Sequence, residues 1–169
     1  MVTIIYKGKI RKVHEAVDRA NALLADDMFY HAIGSKGAFD MSDISAAHVA
    51  ELIRTTDLSM RIITYIGSPR VHGYDDRDNP DLIHLNIFRA DWTLSGIVNT
   101  MIHQMVHAVN DVHRQYNFSH GDRTVDGKGN TAPFWIGNHA EERIDAGTGL
   151  SQGMVHDAHP ESLAIDTLD

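Results

Sequence analysis

From position 97 to 116 the apolar residues Ile97, Val98, Met101, Ile102, Met105, Val106, Val109 and Tyr116 recur at intervals of three and four. One face of an α-helix satisfies that spacing and a strand does not. A stripe of about five turns has to be buried, so the rest of the chain must supply a layer to cover it. Strand material is present at residues 2–6 (VTIIY), 60–66 (MRIITYI) and 82–88 (LIHLNIF), the second run ending at Gly67-Ser68-Pro69. These runs are rich in β-branched residues and bounded by turn formers. Two further amphipathic helices are expected upstream, one through Val13, Ala16, Val17, Ala20, Leu23 and Leu24, the other through Ile44, Ala47, Val49, Leu52 and Ile53.

Asp91 or Thr93 can cap the long helix, and Pro133 is placed to open a last one carrying Phe134, Gly137, Ala140, Glu141 and Ile144 on one face. The expected fold is α+β: a small twisted mixed or antiparallel sheet packed on the long helix, in one domain over residues 1–169, with an irregular tail at 147–169. Residues 74–81, with four aspartates among eight, read as a solvated acidic turn.

Composition narrows the chemistry. The chain has no cysteine, which excludes disulfides, thiolate metal sites and a cysteine nucleophile. A net charge of −8 opposes polyphosphate, so nucleic acid is not an expected partner. No apolar run is long enough to span a bilayer, and the N-terminus lacks the apolar core of a signal peptide, so export, if any, is expected to be signal-independent. Histidine is abundant, 12 in 169, and without cysteine it is the main soft nitrogen ligand for a transition metal.

Two histidines, His103 and His107, lie four apart on the long helix. One turn separates them on one face, so their rings can share an ion. With this many histidines about one such pair is expected by chance, and context has to carry the reading. Here the pair lies in mid-helix among apolar neighbours, after a strand expected to be an edge strand. His103-Gln104-Met105-Val106-His107 resembles the His-Glu-x-x-His signature of the zincin metallopeptidases. The resemblance implies Zn2+ held by the histidines, hydrolysis of a peptide or protein substrate, and a general base one residue after the first histidine. That base takes a proton from the attacking water and returns it to the leaving amine.

At that position this chain has Gln104. Glutamine keeps the shape of glutamate and loses the proton-accepting carboxylate. The chain is therefore expected either to be an inactivated variant of a glutamate-bearing parent or to be a zinc- and peptide-binding pseudopeptidase.

Three residues compete to be the third ligand. Glu141, 34 residues past His107 on the apolar face of the last helix, resembles the ligand of the gluzincin motif Glu-x-x-x-Asp, with Asp145 placed to support a ligand histidine; this is the preferred choice. His113 resembles the third ligand of the metzincins, with Asn110 at their turn glycine. His120, in Ser119-His120-Gly121-Asp122, resembles that of the SprT-like proteases. A weaker resemblance, to compact metallopeptidase effectors of bacterial secretion systems, implies a toxin with a cognate inhibitor or immunity protein. His156 or Tyr74 can donate to the oxyanion of the tetrahedral intermediate, and substrate is expected along the strand at 82–88. His72, His84 and His159 read as surface or structural groups.

Overall fold

The computed structural model describes residues 1–68, 73–76, 79–88, 92–120 and 128–151. Strand β1 (Val2–Ile5) is followed by helices α1 (Arg11–Leu24), α2 (Asp27–Ser35) and α3 (Ala46–Thr55). Strands β2 (Leu58–Tyr65), β3 (Gly73–Asp76) and β4 (Asn79–Asn86) come next, then helices α4 (Leu94–Val112) and α5 (Ala132–Ser151). The sheet order is β1-β2-β4-β3, with β1, β2 and β4 parallel and β3 antiparallel to β4. The domain is α+β and the sheet is mixed.

Alternation along the strands sorts the sheet into two faces. Val2 and Ile4, Met60 and Ile62, Ile83 and Leu85 are buried. They join one core with Val13, Val17 and Ala20 of α1 and with Ile97, Met101 and Met105 of α4. On the other face Ile5 and Ile63 remain 36% and 44% exposed. The outer edge of β1 is closed by a side chain: Asn21 of α1 accepts from the Ile4 amide and donates to the Ile4 carbonyl, both at 2.9 Å. These are the groups an edge strand would otherwise offer to another chain.

Four expectations are corrected. The strand expected at 82–88 is not an edge: β4 lies between β2 and β3, and Leu82, Ile83, His84, Leu85 and Asn86 all pair with β2. The cause is the acidic segment, part of which pairs with β4 as β3 instead of turning in solvent. The long helix stops at Val112, short of Tyr116. The last helix extends to Ser151, through residues expected to be irregular, and residues 152–169 lie outside the described residues. Helix α2 was not foreseen at all. Its signal is Asp26, whose side chain accepts from the Met28 amide, followed by Phe29, Tyr30 and Ile33 on a buried face.

Candidate metal centre

Thr93 starts α4, its Oγ1 accepting from the Gly96 amide at 2.9 Å. Asp91 lies outside the described residues. Ile97, Val98, Met101, Ile102, Met105, Val106 and Val109 are buried, which fixes the helix's rotation and leaves His103 and His107 at the margin of the core, half-buried. Between them Gln104 is 8% exposed, and its Oε1 is buried without a hydrogen-bond partner among the described residues.

The chain then doubles back. Past Val112, Asn110 catches it with both ends of its amide: Oδ1 accepts from the Phe118 amide at 2.6 Å and Nδ2 donates to the Tyr116 carbonyl at 3.3 Å. Phe118 is fully buried. That anchor delivers Ser119 and His120 to the helix face that bears His103 and His107.

The three Nε2 atoms form a near-equilateral triangle: 3.2 Å between His103 and His107, 3.0 Å between His107 and His120, and 3.3 Å between His120 and His103. A tetrahedral ion with metal–nitrogen bonds of about 2.0–2.1 Å spaces its nitrogens about 3.3–3.4 Å apart. The triangle also has a donor–acceptor conflict. Each neutral imidazole nitrogen is either a donor or an acceptor, and three atoms sharing two roles leave at least one facing pair alike. A cation removes the conflict, because all three nitrogens then present lone pairs. His107 Nδ1 lies 2.9 Å from Ser119 Oγ, a hydroxyl that can accept from Nδ1–H and so is compatible with the tautomer in which Nε2 is free to bind metal. Phe134, in the first turn of α5, packs its ring against His103 at 4.5 Å and 81° and against His120 at 5.0 Å and 38°.

His103, His107 and His120 could therefore hold a metal ion, and no other group of three or more such ligands occurs among the described residues. Glu141, the preferred third ligand, is not in the group. Its Oε2 accepts from Asn99 Nδ2 at 2.6 Å, and Asn99 also donates to Asn138 Oδ1 at 3.1 Å. The inward-facing carboxylate is paired across the seam between α4 and α5. The helices approach closely there, since a Cβ on Gly137 would lie 2.4 Å from Asn99 Oδ1. His113 is elsewhere too, its Nε2 2.8 Å from Thr56 Oγ1. Asp145 is exposed, and the polar partner on the far nitrogen of His107 is Ser119.

No family model, curated protein or solved structure matches the chain significantly. The geometry alone carries the assignment of the site. Tyr74 lies on β3 opposite His84, its side chain outside the described residues. His72, His156 and His159 lie outside them as well. The sequence reading gave no role to Ser119 or Phe134; their signal was adjacency to a ligand and position in the first turn of a helix.

Proposed function

We propose that the three histidines bind zinc and that the site belongs to a peptide-hydrolysing zinc centre, with Gln104 standing where the general base is required. The observation that carries this reading is the convergence of three Nε2 atoms at 3.0–3.3 Å, two of them from a histidine pair four apart on a helix. Three nitrogen ligands are the protein share of a catalytic zinc site, the fourth position going to water or substrate. Zinc bound there would act as a Lewis acid toward a carbonyl and activate water.

This chain's own residues then divide the work. Ser119 bonds the far nitrogen of His107 and holds its ring, Phe134 walls one side of the cluster, and residue 104 stands where a carboxylate would carry the proton. With an amide at 104 no proton can be accepted, so the chain as written binds and does not turn over. A second reading, a pseudopeptidase that retains zinc and a peptide groove for recognition, is favoured by that same glutamine.

Elemental analysis is expected to find one zinc per chain. Gln104→Glu is then expected to cleave at least one member of a broad unstructured-peptide panel. Zinc without cleavage leaves the pseudopeptidase; no metal after zinc exposure removes both readings.

A further inference from the structure

Two of the three proposed ligands sit on one rigid helix, and the third, His120, sits on a connection between α4 and α5. The chain leaves the described residues after His120 and re-enters them at Lys128. Beyond the Asn110 anchor on α4, a second hold on the third ligand is found outside both helices, in the turn at residues 39–43 that precedes α3.

That turn grips the connection twice. The Asp43 amide donates to the Asn117 carbonyl at 2.9 Å, and Asp43 Oδ1 accepts from the Asn117 amide at 2.9 Å. The Asn117 side chain adds a third link, Nδ2 donating to the Met41 carbonyl at 2.8 Å. On the far side of the connection the pattern repeats. The Asp40 amide donates to the Asn130 carbonyl at 3.1 Å, and Asn130 Nδ2 donates to Asp40 Oδ1 at 3.0 Å. Asn117 lies three residues before His120 and Asn130 ten after it. Two reciprocal Asp–Asn clamps thus hold the chain at Asn117 and at Asn130, one on either side of His120, to a piece of chain more than 70 residues away.

The turn itself is strained in a way that such a role explains. Met41 has φ 62°, a left-handed conformation costly for a side chain with a Cβ, and it is the residue whose carbonyl Asn117 holds. The residue is 54% exposed, so core packing does not account for the conformation.

We infer that Asp40 and Asp43 are positioning residues for the metal centre, clamping the segment that presents His120 so that the third ligand is in place before the ion arrives. The inference rests on the three histidines being a metal site. Without the clamps, binding must first order the segment, and that entropy is subtracted from affinity. Partners behind metal ligands typically contribute 10–100-fold in affinity; for a clamp one step further out we expect about tenfold.

The test is zinc affinity by competition with a chromophoric chelator, together with the visible spectrum of the cobalt-substituted chain, on the full chain and on Asp43→Ala, Asp40→Ala and Asp43→Asn. The alanine variants are expected to bind zinc about tenfold more weakly and to give a weaker cobalt spectrum, as a four-coordinate nitrogen site loses a ligand. Asp43→Asn keeps an acceptor oxygen for the Asn117 amide and is expected to restore both readouts. Folded alanine variants with unchanged zinc affinity and cobalt spectrum would overturn the clamp and leave the site standing. If the unmutated chain, folded, takes up no zinc, the site reading fails instead. Should Asp40→Ala not fold, Asn130→Ala removes the same side-chain link and keeps the backbone one. Should Asp43→Ala not fold, Asp43→Leu, close in shape and without the acceptor oxygen, takes its place. Each is expected to lose severalfold in affinity, and no loss in either overturns the inference.

Discussion

His120 and His139 are both half-buried and both packed on aromatic rings, yet they point to different uses of the same side chain. His120 touches Phe134 on one side and brings its Nε2 within 3.3 Å of two other imidazole nitrogens. His139 on α5 is stacked between Phe29 at 5.9 Å and Trp135 at 5.1 Å, and its Nε2 is buried with no partner among the described residues. In the first place nitrogens converge, and a shared cation would resolve their conflict. In the second a nitrogen is isolated, and burial pushes the ring below the usual histidine pKa, with Arg143 adding to the shift and Glu142 opposing it. Convergence makes a binding site; enclosure makes a neutral packing element. The number of histidines in a sequence does not separate the two.

The largest effect should come from removing a converging nitrogen. Under saturating zinc, about 100-fold over the dissociation constant, binding to the folded state alone adds about 2.7 kcal/mol of stability. His107→Ala is expected to abolish that gain, so that its thermal midpoint is the same in zinc and in chelator. His139→Phe should keep the zinc-dependent shift whole. Equal zinc responses in these two variants would remove the distinction between the environments.

Next in size is the anchor that brings His120 home. Phe118 is fully buried, and truncating a buried phenylalanine costs about 3–5 kcal/mol. Phe118→Leu, a milder change, is expected to cost less and to weaken zinc binding along with stability, both read from denaturant titrations with and without metal. A stability loss with zinc affinity unchanged would separate the anchor from the site.

Much of this arrangement was legible in the sequence, and the parts that were not share a cause. Period and composition located β1, β2, α1, α3 and α4 because their patterns are local and their buried faces follow from spacing. The pair His103 and His107 was legible for the same reason. The third member of the histidine cluster was not. Glu141 and His120 both satisfied a family pattern, and a core-facing carboxylate needs a partner that spacing cannot name; the partner is Asn99. His120 depends on a chain reversal set by Asn110 and on the clamps at Asp40 and Asp43, contacts that are non-local or read as plain loop polarity. Strand β3 was lost because Gly73, Asp75 and Asp76 have poor strand propensity, and pairing with β4 overrides it.

Ser119→Ala probes one hydrogen bond, the one on His107 Nδ1. Losing it removes a bond that holds the ring's orientation, and zinc affinity is expected to fall by about tenfold with little change in metal-free stability. Ser119→Thr keeps the hydroxyl and is expected to recover most of the loss.

The smallest effect is the pH response of His139, and its sign follows from linkage. The folded-state pKa lies below the ordinary 6.5, so between those two values the unfolded chain binds more protons than the folded one. Stability in that window rises with pH. The contribution is fully present above about pH 6.5 and is lost as pH falls through the lowered folded value. His139→Phe keeps an aromatic ring between Phe29 and Trp135, removes the orphaned Nε2 and removes this dependence. In chelator, where acid release of metal from the other three histidines plays no part, the variant is expected to be more stable than the parent by about 1 kcal/mol near neutral pH. The gap should widen toward pH 5. A gap that stays constant across that range would mean that the fold does not lower the His139 pKa, and the contrast with His120 would then lie only in what the rings touch.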